Sequence, residues 1–102
     1  MSRINALTEM LADDPTDPLL YFMLASEYFN AGALEEAVRC IETYLEKMDD
    51  EGAAYRILAQ ALQQLGRREE ARRAYQRGIE AARRHEHDSM VEEYQEALAA
   101  LD

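Results

Sequence analysis

The chain contains a 34-residue unit that occurs twice, and this repeat restricts the possible folds more than any other feature. Residues 18–51 align with residues 52–85 without a gap, and nine of the 34 positions are identical. Residues 32–46 read GALEEAVRCIETYLE, and their counterparts at 66–80 read GRREEARRAYQRGIE. A unit this short cannot bury a core by itself, so neighbouring copies are expected to stack on each other.

Each unit is predicted to form two helices separated by a glycine, Gly32 in the first unit and Gly66 in the second. Glycine suits the left-handed backbone conformation in which many helices end. Apolar residues recur at helical spacing on both sides of each glycine. The chain has only four glycines and two prolines, and its many Ala, Leu, Glu and Arg residues favour helices over a sheet. The residues predicted to face inward are Tyr21, Leu24, Ala25, Tyr28, Ala37, Ile41, Tyr44 and Leu45 in the first unit, and Tyr55, Leu58, Ala59, Leu62, Ala71, Tyr75 and Ile79 in the second.

Two further helices are predicted outside the repeated units. Residues 3–13 form one, with Leu7, Met10 and Leu11 facing inward, and it precedes an Asp17-Pro18 pair suited to cap the next helix. At the other end, residues 88–101 alternate an apolar stripe with acidic positions, as expected for a helix that covers the end of a stack. The sequence therefore predicts an all-α chain of about six helices.

The order of large and small apolar residues in both units resembles the tetratricopeptide repeat. The matching residues are Tyr21-x-x-Leu24-Ala25-x-x-Tyr28 with Ala37-x-x-x-Ile41, and Tyr55-x-x-Leu58-Ala59-x-x-Leu62 with Ala71-x-x-x-Tyr75. The resemblance implies an α-solenoid of helix–turn–helix units that forms a single domain over residues 1–102. Its parts would be a truncated-repeat helix at 3–13, repeats at 18–51 and 52–85, and a capping helix at 88–101. The chain also resembles a group of small bacterial proteins of about this length, built from two such repeats and a closing helix.

The net charge of −10 is unevenly distributed along the chain. Residues 1–51 carry three basic and twelve acidic side chains, residues 52–84 carry eight arginines and three glutamates, and residues 85–102 carry six acids and no Lys or Arg. This acidity disfavours binding to nucleic acid or to an anionic membrane surface. No signal peptide is evident, and the longest apolar run, residues 19–25, is well short of the ~20 residues of a membrane span. We therefore expect a cytoplasmic protein.

The sequence contains no recognisable pattern for catalysis or for a cofactor. It has no phosphate-binding loop, dinucleotide fingerprint or nucleophile elbow. The single cysteine, Cys40, has no histidine near it in sequence, so it is expected to be a buried small residue rather than a nucleophile. His85 and His87 are two residues apart rather than three or four, so a metal site there is the less favoured alternative. We predict a protein that is not an enzyme and that has no cofactor.

One face of the first helix in each unit is not needed for the predicted core. If the resemblance holds, this face lines a concave groove, where tetratricopeptide repeats commonly bind peptides or helices. Both phenylalanines of the chain fall on it. A non-catalytic scaffold that binds a protein or peptide is therefore predicted. The alternatives are a homodimer formed through Leu19, Phe22 and Phe29, or coverage of this face by the first helix or a chain end. The predicted groove residues are Leu19, Phe22, Ser26, Phe29, Asn30, Arg56, Gln60 and Gln63.

The second helix of the second unit, residues 68–84, is rich in arginine. Most of these arginines are predicted to point outward, and Glu80 with Arg84 has the i,i+4 spacing of a stabilising pair. This positive segment between two acidic ones could attract an acidic partner or another copy of the chain.

Overall fold

Residues 2–101 fold as six helices. The computed structural model describes residues 2–101, and in that range it contains no strand. The helices are α1 (Arg3–Asp13), α2 (Pro18–Asn30), α3 (Leu34–Lys47), α4 (Ala53–Gln64), α5 (Arg68–Arg84) and α6 (Asp88–Leu101). Each helix packs against the next one, and α2 also packs against α4. The predicted all-α solenoid is confirmed. None of the helices in this part of the chain is long and apolar enough to cross a membrane.

Helices α2 and α4 end in the same glycine turn. Gly32 and Gly66 both have a φ of +79°. After α2, the amide of Ala33 donates to the carbonyl of Tyr28 at 2.9 Å, and the amide of Gly32 donates to that of Phe29 at 3.1 Å. This pair of bonds is the Schellman arrangement, and it recurs after α4. The predicted role of both glycines is confirmed.

Helix α5 ends in the same arrangement without a glycine. The amide of His87 donates to the carbonyl of Ala82 at 2.8 Å, and the amide of Glu86 donates to that of Arg83 at 3.2 Å. Glu86 has a φ of +60°, a conformation that costs a non-glycine residue roughly 1–2 kcal/mol. The chain therefore makes one helix-ending turn three times, and the third copy carries backbone strain.

The start of α2 is capped as its sequence predicts. The side chain of Asp17 accepts a hydrogen bond from the amide of Leu19 at 3.0 Å, and Pro18 occupies the first helical position. Proline is well tolerated there because the amide it lacks would have no partner within the helix.

The core forms two clusters along the stack. The larger one joins α2 to α6, and alanines with no exposed surface, among them Ala25, Ala59 and Ala71, allow its helices to approach closely. The smaller cluster, of Leu7, Leu20 and Leu24, holds α1 on α2. The prediction that Met10 faces inward is wrong, since its side chain is 51% exposed. Helix α1 packs mainly on α2, so much of its surface stays exposed.

The loop of residues 48–52, between α3 and α4, is held by buried hydrogen bonds. Asp50 accepts from the Tyr44 hydroxyl at 2.7 Å and from the amides of Gly52 and Ala54 at 2.8 and 2.9 Å, which caps the start of α4. The hydroxyl of Tyr94, in α6, donates to the carbonyl of Gly52 at 2.6 Å. Burial raises the pKa of Tyr94 to about 12. This loop therefore connects both repeats to the last helix.

A glycine in α5 makes room for that last helix. Gly78 is the counterpart of Tyr44 in the repeat alignment. A Cβ atom at Gly78 would lie 2.7 Å from the ring of Tyr94 and 2.9 Å from the Cβ atom of Tyr55. The ring of Tyr94 therefore occupies the space into which a side chain at position 78 would extend.

The two layers of the stack are packed differently, and such a difference makes a stack of repeats curve. Helices α2 and α4 pack directly on each other. Helices α3 and α5 face each other across a cavity of about 180 Å³ and across ion pairs, in which Arg67 lies 3.2 Å from Glu35 and Arg77 lies 3.3 Å from Glu42. The layer with the closer helices forms the inner side of the curve, so α2 and α4 lie on the concave side. We call the opposite side, formed by α3 and α5, the outer face.

The arginines of α5 have partners that the sequence did not predict. Arg84 pairs with Asp49 at 2.8 Å instead of with Glu80, and it joins Arg67 and Arg77 in a row of pairs along the outer face. Three of the eight arginines in residues 52–84 are therefore paired with acids of the first repeat.

Candidate interaction groove

Helix α2 forms an apolar wall of the concave side. Its core face is filled by Leu20, Leu24 and Ala25, which are 5%, 3% and 0% exposed. Leu19 is 59% exposed, and Phe29 is partly buried and belongs to neither core cluster of the described chain. These two apolar side chains are therefore not explained by the packing of the core.

Phe22 has a mixed environment at the base of this wall. Its ring packs edge-on against the ring of Tyr44, with the centroids 5.1 Å apart and an interplanar angle of 66°. It also belongs to the partly buried rim of the larger core cluster. Phe22 therefore supports the core as well as lining the concave side. The same face of α2 carries two polar residues, Ser26, which is partly buried, and Asn30, which is exposed.

Helix α4 supplies amide groups and one arginine. Gln60 is partly buried, and exposed Gln63 accepts a hydrogen bond from the hydroxyl of Tyr75 at 3.3 Å. Arg56 is held by two hydrogen bonds to the carboxylate of Glu93, at 2.6 and 2.7 Å, and its guanidinium lies 5.8 Å from the centre of the Tyr94 ring. These bonds raise the pKa of Arg56 and lower that of Glu93.

Helix α6 forms the other wall, which the sequence did not reveal. Glu93 reaches Arg56 from α6, and exposed Glu96 follows one turn later on the same edge of the helix. Residues 88–101 lie outside the repeat alignment, so no pattern indicated that their acids would approach α4. We use "the groove" for the concave surface between α2 and α6, with α4 at its base.

Helix α1 lies on another side of α2. Its buried residue, Leu7, packs with Leu20 and Leu24, and Met23 adjoins the same cluster. Leu19 keeps its 59% exposure in the presence of α1, so this helix leaves the outer part of the apolar wall accessible.

The two histidines face separate carboxylates. His85 Nε2 lies 3.4 Å from Asp49, and His87 Nε2 lies 3.3 Å from Glu51. Between residues 2 and 101, no three His, Cys, Asp or Glu side chains are grouped in a way that could hold a metal ion. Half-buried Cys40 adjoins both core clusters, and burial raises the pKa of its thiol.

The cavity on the outer face offers little surface to a ligand. Its floor includes Leu58 and Leu62, which are only 1% and 4% exposed. Arg67 lies at its rim and donates two hydrogen bonds to Glu70, at 2.7 and 2.8 Å. Charged pairs therefore close this cavity, and the groove is the better candidate site.

Comparison with known proteins agrees with this architecture. Models of the tetratricopeptide repeat match residues 4–60 and residues 53–85. The TPR repeat-containing protein PA0015 of Pseudomonas aeruginosa is 30% identical over 99 residues, which span 97% of this chain and 94% of that protein. The solution structure of protein BPP2914 from Bordetella parapertussis superposes with a TM-score of 0.84 at 27% identity, over 99% of this chain and 88% of that one. Tetratricopeptide repeats generally mediate interactions between proteins. With more than half of its residues matched by the family model and a relative similar over nearly its full length, this chain belongs to the tetratricopeptide repeat family.

Proposed function

We propose that this chain is a non-catalytic scaffold that binds a peptide or helix of another protein in the groove. The observation that supports the proposal most is the exposed apolar wall of α2. Leu19 is 59% exposed near the start of α2, and Phe29, near its end, belongs to neither core cluster, so the core accounts for neither of these apolar side chains. Family membership supports the same kind of activity.

The test is a paired change on that wall. Leu19→Ser with Phe29→Ser is expected to keep the helical circular dichroism spectrum and to abolish binding, because both side chains lie outside the core clusters. Met10→Ser is the matched control, since Met10 is 51% exposed on α1 and lies away from the groove. Phe22→Ala is unsuitable as a probe because the ring packs on Tyr44.

Binding is measured by affinity capture from native cells with quantitative mass spectrometry. Proteins that wild type and Met10→Ser retain equally, and that the groove variant loses, are the expected partners. Retention of every partner by the groove variant would show that the groove is not the binding surface.

A homodimer through Leu19, Phe22 and Phe29 would use the same exposed face. Light scattering over a concentration series distinguishes the two functions. A dimer that Leu19→Ser disrupts and Met10→Ser does not would assign the face to self-association, whereas a monomer at all concentrations leaves it available to another protein.

A further inference from the structure

We propose that the segment bound in the groove is basic and amphipathic, with apolar residues along one edge and Lys or Arg along the other. This inference rests on the function proposed above and concerns the chemistry of the partner.

The arginine at the base of the groove is already compensated. Both bonds from Arg56 to Glu93 are short, and the guanidinium also lies against the ring of Tyr94. An acidic partner would have to displace a carboxylate that is held in two-point geometry. The guanidinium fork is therefore already occupied by a matching carboxylate, so the groove offers no unpaired cation at this position.

The wall formed by α6 is acidic. Residues 85–102 contain six acidic residues and no Lys or Arg. Glu96 lies on the edge that carries Glu93 and is exposed, and exposed Glu92 adjoins it. With Arg56 neutralised by Glu93, the charge that remains along this wall is negative.

The arginines of α5 do not offset that charge. Arg67, Arg77 and Arg84 pair with acids of the first repeat along the outer face, on the opposite side of the stack from the groove. These three arginines are therefore paired away from the groove, whereas Glu92 and Glu96 on the α6 side are exposed.

The two walls of the groove differ in chemistry. Leu19 and Phe29 line the α2 side, the amides of Gln60 and Gln63 lie at the base, and Glu96 lines the α6 side. A helix that lies along α4 between these walls would meet an apolar wall at one edge and an acidic one at the other.

The test uses a displayed library of short random peptides selected on the wild-type chain. Enriched sequences are expected to combine Leu, Ile or Phe with several Lys or Arg residues. Glu93→Gln with Glu96→Gln should weaken the best peptide by about two- to tenfold, because the first change leaves the charge of Arg56 uncompensated in the groove and the second removes an exposed acidic side chain. The control, Glu46→Gln with Glu80→Gln in α3 and α5, changes the net charge equally and should weaken it less than about twofold because charges beyond a Debye length are screened.

The outcomes separate the charge of the partner from the location of the site. Selection of neutral or acidic peptides would overturn this inference. If the variant with Leu19→Ser and Phe29→Ser no longer bound those peptides, the proposed function would still stand. If both pairs of glutamine substitutions weakened the binding of a basic peptide equally, the binding would depend only on the net charge of the protein, and this inference would be overturned as well. No enrichment, or binding that survives the changes at Leu19 and Phe29, would overturn both proposals.

Discussion

The two repeats share a backbone but fill the same space with different parts of the chain. In the first repeat, the ring of Tyr44 comes from α3 and packs against Phe22. In the second repeat, Gly78 aligns with Tyr44 and Arg56 aligns with Phe22. The ring there comes from Tyr94 in α6, and Arg56 lies over it. Helix α6 is therefore part of the core of the second repeat and not only a cover for its end.

The largest effect is expected from removing the ring of Tyr94, which α6 contributes to the second repeat. Tyr94 has no exposed surface, so Tyr94→Ala is expected to lower the free energy of unfolding by about 3–5 kcal/mol. Urea unfolding followed by circular dichroism measures the loss. Tyr94→Phe removes only the hydrogen bond to Gly52 and should cost about 1 kcal/mol. If the alanine variant lost no more than the phenylalanine variant, α6 would not belong to the core.

A second test fills the space that Gly78 leaves open. Gly78→Ala is expected to cost about 1–3 kcal/mol, because the added Cβ atom would lie within 3.0 Å of Tyr94 and Tyr55. In a Tyr94→Ala background the cost should be smaller by about 1 kcal/mol, since one of the two close contacts is gone. The same urea measurements give this coupling. Strictly additive losses would contradict the idea that Tyr94 occupies the place of a side chain at 78.

The three helix-ending turns offer a smaller comparison. Glu86 has a φ of +60° where the other two turns have glycine. Glu86→Gly should therefore raise the free energy of unfolding by about 0.5–1 kcal/mol, the relief of strain less the entropy of glycine. The reverse change, Gly66→Glu, should lower it by a similar amount. Thermal unfolding measures both, and a loss of stability in Glu86→Gly would show that the third turn is not strained.

The smallest expected effect concerns the ion pair of Glu93 with Arg56, the residue that aligns with Phe22 in the second repeat. Because Arg56 keeps the pKa of Glu93 below its ordinary value, the stability from their pair is complete above the ordinary glutamate pKa and is lost as the pH falls through the folded-state value. Both groups are well exposed, so Glu93→Gln should cost only about 0.5 kcal/mol at neutral pH.

The pH dependence supplies the check. Melting temperatures of wild type and Glu93→Gln are expected to differ at neutral pH and to converge in acid, with Glu80→Gln as the exposed control in α5. A gap that stays constant down to strong acid would mean that the ionised carboxylate contributes nothing.

Local signals in the sequence were sufficient to predict the helices. Gly32 and Gly66 mark two helix ends, Asp17 with Pro18 marks a start, and the period of the apolar residues indicates most of the core. Each of these signals depends only on residues nearby in the sequence, so the helices could be predicted without knowledge of the tertiary structure.

Contacts between distant helices could not be predicted in the same way. The bond from Arg56 to Glu93 spans 37 residues, and that from Arg84 to Asp49 spans 35. The inward direction predicted for Met10 failed because it depends on how many helices surround α1. The groove residues remain a prediction, since the sequence identified the face of α2 but not the acidic wall opposite it.

The loop of residues 48–52 has a consequence for how the molecule opens. Arrays of repeats often unfold from their ends, one unit at a time, because each unit contacts only its neighbours. Here the carbonyl of Gly52 and the carboxylate of Asp50 are bonded to α6 and α3 at once. Detaching α6 leaves a buried acceptor without its donor in the middle of the chain. Amide hydrogens of α3, α4 and α6 should therefore exchange with solvent through one shared, cooperative opening. The molecule would then unfold as a single unit although its sequence is a repeat.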